Sequence, residues 1–407
     1  MNIGKDYHLS YCTNIHPGET WAAVFETLQK YILPIKANLS PDKPFGIGLR
    51  LSDLASKELE QENHLPQFKN WLQEHDLYVF TMNGFPFGGF HQQVVKDEVH
   101  QPDWTTTARP AYTIRLARIL AYLLPDGLEG SISTSPLSYK LWFKDDAEKT
   151  DQVFEQATRH LAMVVENLIK IKEQTGKLIH IDIEPEPDGL LETSKEFMHY
   201  YEEWLLPKAG LYLENQLGLD QQGAQSAIRE HIQLCYDVCH FALAYEEPTD
   251  VIQALSQKGI KIGKVQISAA LKADLPTNIE AREELAQEFA AFNEPTYLHQ
   301  VIVRNTNNTF TQYNDLPVAL EHIKNPEAVE WRSHFHVPVF LDRYHKLQST
   351  QVEIVKVFKL LAEQAFTNHL EVETYTWGVL PEEIKQDLGA SIQRELEWVL
   401  QNIKVAD

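Results

Sequence analysis

Four segments of the chain end in residues that can bind a cation or move a proton. Glu184 stands in IHIDIEPEP, Asp237 and His240 in CYDVCHFA, Gln266 in KVQIS, and Glu373 in LEVETYTW. Two glutamates, an aspartate and a glutamine carbonyl make an all-oxygen set, which suits a hard or intermediate divalent cation such as Mg²⁺ or Mn²⁺. Brought together without a cation, three carboxylates would repel one another, and at least one would have to stay protonated. A bound metal removes that cost. Any one of these residues, taken alone, is read equally well as a cap on its own strand or helix. Four segments ending in ligand types favour a shared centre.

Other polar residues fall nearby. His334 and His336 in HFHVPVF are alternate residues, so on a strand both project from one face. They read as substrate contacts, as additional metal ligands, or as a hydrogen-bonded pair beneath the surrounding chain. An imidazole ligand would move the metal preference toward Zn²⁺. Arg332 and Arg343 flank them, placed to hold an anionic group or to form surface ion pairs. Asn14 and His16 in NIHPGETW, and Asn83 and His91 in NGFPFGGFH, are further candidate substrate contacts. Pro17-Gly18 before Glu19 and Thr20 is equally a loop entering a helix. The run containing Phe85 and Phe87 reads as a lid or as a packed irregular loop. Cys235 and Cys239 read as packing residues.

The elements that must position these groups follow an alternating pattern. Short apolar or alternating segments recur, each followed by a helical period, which is the order of βα units. Strands are expected over residues 8–13, 45–51, 77–82, 130–134, 178–184, 233–238, 264–268 and 369–374. In the fifth, Ile179, Ile181 and Ile183 alternate with His180, Asp182 and Glu184. Helical stripes include Trp21, Val24, Phe25, Leu28 and Ile32, then Phe154, Leu161, Val164, Val165, Leu168 and Ile171. Further helices are expected over 111–124 and 351–364, and Pro381 is expected to open the last. The pattern predicts an α/β fold, a closed (β/α)8 TIM barrel over residues 1–407 as one domain, with a doubly wound open sheet as the alternative. In such a barrel the C-terminal strand ends converge on one pocket. Residues from about 269 to 345 break the period. They contain an expected hairpin, 297–304 with 310–313, turned at Asn307-Asn308, and a strand-like piece over 333–340. This reads as a large insertion after strand seven, on the face where barrels keep their active sites.

Composition narrows the function classes. Lys and Arg number 36 against 58 Asp and Glu, a formal net charge of −22. Such a surface repels a phosphate backbone, so no nucleic acid is expected as a partner. No Gly-x-Gly-x-x-Gly follows a strand and no Walker-type loop is present, so no nucleotide cofactor is expected. No run approaches the ~18 apolar residues of a membrane helix, so the chain is not expected to be membrane-embedded. The segment MNIGKDYHLSYC lacks a basic stretch followed by an apolar core, and the three cysteines are sparse, which together lead to the expectation of a cytoplasmic protein.

The order Glu184, Asp237-x-x-His240, Val265-Gln266-Ile267 and Glu373 resembles the xylose-isomerase-like barrels that isomerise or epimerise sugars. KVQIS is similar to the seventh strand of hydroxypyruvate-isomerase-like members, where Gln takes a metal position more often filled by His. The resemblance implies Glu184, Asp237, Gln266 and Glu373 as metal ligands and Glu184 with Glu373 as a proton-transfer pair. His240 would face the substrate oxygens. The implied chemistry is proton transfer next to a carbonyl through an enediolate held by Mn²⁺, Mg²⁺ or Zn²⁺. Over nearly the whole chain, YCTNIHPGETW, FTMNGFPFGGFH, GSISTSPLSYK, HFHVPVF and LEVETYTWGVLP resemble the EboE family, described as metabolite traffic proteins of a bacterial export-related gene cluster. That resemblance implies handling of a biosynthetic intermediate and partner proteins from the same cluster.

Three functions therefore compete. The first is a metal-dependent isomerase or epimerase acting on a small hydroxylated metabolite. The second is a non-catalytic carrier that retains the barrel pocket. The third, a metal-dependent phosphodiesterase or repair nuclease, is disfavoured by the acidic charge. An enzyme needs both Glu184 and Glu373, whereas a carrier needs only the pocket's shape, and the sequence keeps both.

Overall fold

In the segment Ile179–Ile183 three isoleucines alternate with His180 and Asp182, and every residue is buried. A strand buried on both faces belongs to a parallel sheet with helices on one side and a filled interior on the other. The computed structural model, which describes residues 1–4, 7–89, 91, 94–380 and 387–403, arranges eight such strands. The first seven are β1 (His8–Tyr11), β2 (Phe45–Arg50), β3 (Leu77–Asn83), β4 (Gly130–Thr134), β5 (Ile179–Ile183), β6 (Ile232–Asp237) and β7 (Ile262–Ile267). Six strands of another sheet follow: β8 (Leu271–Asp274), β9 (Val301–Asn305), β10 (Phe310–Tyr313), β11 (Ala328–Ser333), β12 (Arg343–Tyr344) and β13 (Leu347–Ser349). β14 (His369–Val372) then returns to the first sheet.

The barrel order is β1-β14-β7-β6-β5-β4-β3-β2. A parallel bridge between Cys12 and Gly48 brings its two ends together. Ser10 sews that seam, donating through Oγ to Gly46 O and accepting from Gly48 N, both at 2.9 Å. The closure makes this a (β/α)8 barrel and excludes the open sheet. Each strand falls where the sequence pattern places it, to within a residue or two at either end.

Helices cover the outside with the expected stripes. Ala147–Thr175 buries Val153, Ala157, Leu161, Val164, Val165, Leu168 and Ile171. Asp146 caps its start by accepting from Lys149 N, and Gly176 at φ 71° ends it. Truncating Leu161 to Ala would cost about 2–5 kcal/mol. Phe154, expected on this stripe, packs at its edge against Tyr200 and Trp204. The helix expected over 111–124 starts earlier, at Ala108. The crossover from β2 to β3 carries two helices, Asp53–Leu59 and His64–Glu74. The last helix is Leu388–Asn402; Pro381 lies outside the described residues. Among the described residues no helix is long and apolar enough to cross a membrane.

Inside the barrel the chemistry changes from apolar to polar. Lys264 and Glu371 form an ion pair, Nζ to Oε2 at 2.8 Å, with both side chains fully buried. Asp182 accepts from Ser131 Oγ at 2.5 Å and lies 2.6 Å from His180 Nδ1. Glycine makes the room. A Cβ on Gly48 would lie 1.9 Å from Glu371 Oε1, and one on Gly263 would lie 1.9 Å from Asp182 Oδ1.

The second sheet has the order β10-β9-β11-β8-β13-β12, with antiparallel pairing throughout. The β9–β10 hairpin turns through Asn308 at φ 60°. β11 ends at Ser333, so the piece expected as a strand over 333–340 lies mostly outside any ladder and ends in a turn at residues 339–340. His334 N donates to Gln300 O at 2.8 Å and Val337 N to Ala269 O at 3.0 Å. Pro338, with no N–H, cannot extend a ladder.

Candidate metal centre and pocket

β5, β6 and β14 deliver three carboxylates to one point. Glu184 follows β5, where Pro185 supplies no N–H to continue the ladder. Asp237 ends β6 and caps the helix Val238–Leu243. Glu373 follows β14. Each places one carboxylate oxygen within 4.8 Å of the other two, and all three residues are buried.

The second oxygen of two of these groups is tied down. Asp237 Oδ1 accepts from Ser268 Oγ at 2.8 Å and His240 N at 3.0 Å. Glu373 Oε1 accepts from Asn14 Nδ2 at 2.8 Å and Asn83 Nδ2 at 2.9 Å. By contrast, among the described residues no donor from outside the triad reaches Glu184 Oε2 or Asp237 Oδ2. A buried carboxylate oxygen left this way is costly unless a cation faces it.

The electrostatics agree. Burial, then the charges of Glu373 and Asp237, push the Glu184 carboxyl well above the usual range. Burial, then Asp237 and Glu371, do the same to Glu373. Burial also opposes the charge on Asp237, yet His240, His336 and the Ser268 hydroxyl hold it below the usual value. Buried oxygens without a donor outside the triad, and two glutamates on which burial and neighbouring carboxylates oppose negative charge, are what a divalent cation would relieve, so these residues fit a divalent metal.

Three histidines stand beside the triad. His240 Nε2 lies 3.1 Å from His334 Nε2 and 3.3 Å from His336 Nε2. His240 Nδ1 is 3.7 Å from Glu184 Oε1, and His336 Nε2 is 4.0 Å from Asp237 Oδ2. Burial, then the neighbouring imidazoles, holds His334 well below its usual pKa. His336 is lowered by burial despite Asp237.

Above these groups opens a pocket of about 590 Å³, part of it open to solvent. Glu184, Glu373 and His240 line it with His334 and His336, and Phe85, Tyr297 and Tyr375 supply aromatic wall. Asn14 and Asn83 also reach it, with their amides on Glu373.

Other candidates do not line this pocket. Gln266 is fully buried and in register with Asp237 on one side and Glu371 on the other. Its Oε1 accepts from Cys235 Sγ at 3.2 Å, and its Nε2 has no partner among the described residues. His16 bonds Tyr11 through Nε2 at 2.9 Å and stacks on Tyr31 at 4.4 Å. Burial, then His91 and Lys30, lowers its pKa to about 3. His91 bonds Asn14 O from behind the pocket wall. Arg332 is bound to Glu330 at 2.7 Å and lies 4.0 Å over the Tyr245 ring, away from the pocket.

The sequence reading missed Glu186, His100 and Gln300, which all line the pocket. His100 Nε2 lies 3.0 Å from Glu186 Oε1. Glu186 had a signal, since it continues the two-residue alternation of His180, Asp182 and Glu184 past Pro185. His100 and Gln300 had none.

With this geometry in hand, comparison with solved structures decides the fold. A xylose isomerase-like TIM barrel protein from Mycobacterium smegmatis in complex with magnesium aligns over 100% of both chains at 10% identity, with a TM-score of 0.51. The fold is that of the xylose-isomerase-like TIM barrels. D-psicose 3-epimerase from Clostridium cellulolyticum H10, solved with D-tagatose, covers 98% of this chain and 99% of its own at 9% identity and a TM-score of 0.48. The IOLI protein with a binding zinc atom covers 97% and 98% at 12% identity, also at 0.48. No protein-family model matches the chain, and no curated protein matches it.

Proposed function

We propose that this chain is a metal-dependent enzyme that moves a proton next to the carbonyl of a small hydroxylated metabolite, as sugar isomerases and epimerases do. One observation carries the reading. Glu184, Asp237 and Glu373 each bring a buried carboxylate oxygen within 4.8 Å of the other two, Glu184 Oε2 and Asp237 Oδ2 have no donor outside the triad among the described residues, and Glu184 and Glu373 line the pocket. Glu184, Asp237 and Glu373 would hold the cation, with Gln266 as the fourth ligand of the sequence pattern. Mn²⁺, Mg²⁺ or Zn²⁺ bound there would polarise a carbonyl oxygen and its neighbouring hydroxyl.

The protein's own groups do the rest. Glu184 takes a proton from the carbon beside the carbonyl, and Glu373 returns one, with Asn14 and Asn83 fixing the Glu373 carboxylate. His240, oriented through Nδ1 by Pro185 O at 3.0 Å, positions a substrate oxygen. Phe85, Tyr297 and Tyr375 shield the reacting carbon from water. The resemblance of YCTNIHPGETW and HFHVPVF to EboE segments supports a substrate that is an intermediate of biosynthesis, processed or passed on with proteins of the same gene cluster.

The test is isotopic. The protein is incubated in D₂O with Mn²⁺ and a panel of hydroxyketones and hydroxyaldehydes, and deuterium beside the carbonyl is read by mass spectrometry. Wild type should exchange at least one class, and Glu184→Gln or Glu373→Gln should slow it roughly 10²–10⁴-fold. A wild type that binds metal and a metabolite but incorporates no deuterium overturns the enzyme reading in favour of a carrier.

A further inference from the structure

We infer that the substrate carries an uncharged apolar group, an aryl ring or an alkyl chain, beside its hydroxylated carbonyl. Phe85, Val99, Tyr297, Leu298 and Tyr375 bind that group. For the hydroxylated head of the molecule the inference rests on the function proposed above, and it adds what the rest of the molecule must be.

The pocket divides by chemistry. Asn14, Asn83, Glu184 and Glu373 stand at or just beyond the ends of barrel strands and offer polar groups to a carbonyl and its hydroxyl. The apolar lining comes from the connecting segments instead. Phe85 leads out of β3, Val99 lies in the turn Lys96–His100, Tyr297 and Leu298 belong to the insertion, and Tyr375 follows β14.

This apolar wall is continuous with the reacting groups. Phe85 N donates to Asn83 Oδ1 at 3.0 Å, and Nδ2 of the same asparagine donates to Glu373. Tyr375, two residues past Glu373, holds its ring 4.7 Å from that of His336 and 5.1 Å from that of Tyr297. Tyr297 packs in turn with Val95, Val99 and Tyr375, in an apolar cluster separate from the barrel core. A substituent next to the reacting carbon therefore meets apolar side chains.

The wall is also assembled in advance. Val95 N and Lys96 N both donate to Thr296 O, at 2.8 and 3.0 Å, and Lys96 Nζ meets Asp315 Oδ2 at 2.5 Å. These bonds tie the segment carrying Val99 to the insertion carrying Tyr297 and Leu298. Val99, Leu298 and Tyr375 nevertheless stay only half-buried. Covering that remaining apolar surface with a ligand group is favourable, and no rearrangement is needed to present it.

Charge excludes the alternative of an anionic substituent. Lys96 is the one lysine or arginine among the described lining residues, and Asp315 already holds it. Glu184, Glu186 and Glu373 add acidic groups to the same lining. A phosphate or carboxylate is recognised by arginine or lysine donors free to pair with it, and none is offered here.

Calorimetric titration tests the inference without requiring turnover. Full-length protein in buffer with Mn²⁺ is titrated with hydroxyacetone, with the same hydroxyketone head extended by a phenylethyl or a hexyl group, and with dihydroxyacetone phosphate. At least one extended probe should bind about tenfold or more tighter than hydroxyacetone, since a single methylene in an apolar pocket is worth that much. Whether the phenylethyl or the hexyl probe gains more separates an aryl from an alkyl substituent. Val99→Ser with Leu298→Ser should remove most of the gain and leave hydroxyacetone affinity unchanged, which also reports a folded variant.

Equal affinity for extended and unextended probes overturns the apolar subsite, as does tighter binding of the phosphate or no binding of any probe. A gain that survives the double variant overturns it too. Deuterium exchange separates this result from the function proposed above. Exchange without an apolar gain leaves the proton-transfer reading standing alone, and an apolar gain without exchange keeps the subsite on a carrier.

Discussion

Replacing Lys264 by methionine puts a number on the polar barrel interior. Glu371 depends on this lysine, because Oε2 meets Lys264 Nζ at 2.8 Å while Oε1 has no hydrogen-bond partner among the described residues. Burial alone would strip the lysine of its proton, but Glu371 beside it holds its pKa above the usual range. Methionine fills a similar volume and removes the charge. The carboxylate is then left bare at full burial, a change that costs about 3–5 kcal/mol when a buried pair is broken.

Protonation sets a ceiling on that cost. Protonating Glu371 in the folded variant costs about 1.4 kcal/mol for each pH unit above its unfolded pKa of about 4.3. The penalty is therefore capped near 4 kcal/mol at pH 7 and near 1 kcal/mol at pH 5. The sign follows from a folded pKa raised by the substitution, so stability is lost as pH rises. Urea unfolding followed by tryptophan fluorescence at pH 5, 6 and 7 measures it. Adding Glu371→Gln to Lys264→Met should flatten the pH dependence. A single variant that costs under about 1 kcal/mol at pH 7, or the same amount at every pH, would refute the reasoning.

Three further outcomes are expected. Gly48→Ala should destabilise by about 3 kcal/mol in the same urea assay, since its Cβ would lie 1.9 Å from Glu371 Oε1 and 2.8 Å from Tyr11 O, a backbone atom that cannot swing away. Glu395 has its pKa pushed up to about 7 by burial. It therefore costs wild type roughly 3 kcal/mol as pH rises from 4.5 toward 7, and Glu395→Gln should gain in melting temperature over wild type at pH 8 but not at pH 5. Mn²⁺ or Zn²⁺ at a hundred times its dissociation constant should stabilise wild type by about 2.7 kcal/mol in a thermal melt, and Glu184→Gln should lose most of that gain.

The barrel was legible because its strands obey a period that one sequence displays. Ile179, Ile181 and Ile183 against His180, Asp182 and Glu184 give both the strand and the inward face. Alternation assigns a face but not a partner. Lys264 and Glu371 share the alternation of Gln266 and Glu373, yet nothing in KVQIS or LEVET says that they pair across β7 and β14. The same limit hid the role of Asn14 and Asn83, whose amides close on Glu373 from more than two hundred residues away. β8, β12 and β13 were missed because LKAD, RY and LQS are too short to show a period, and their order comes only from pairing with distant strands. His334 and His336 were read on a strand that ends at Ser333. They still line the pocket together, with the backbone held on either side by His334 N to Gln300 O and Val337 N to Ala269 O.

One rule of construction runs through both halves of the site. Asp237 and Glu373 each have one oxygen pinned, by Ser268 and the His240 N–H or by the two asparagines. Each of the three imidazoles has Nδ1 pinned by an oxygen and Nε2 left to the interior. The pinned atoms fix side-chain orientation, so the free lone pairs cannot rotate away from one another to relieve repulsion. A protein that needed these residues only for packing would let them turn toward donors. Holding acceptor atoms close together is unfavourable by itself and favourable when positive charge enters. The ordering cost is met during folding, before any ligand binds, which is how supporting hydrogen bonds raise metal affinity. Pinning of this kind, on carboxylates from two strands and on the imidazoles beside them, is a stronger argument for a bound cation than the residue types themselves.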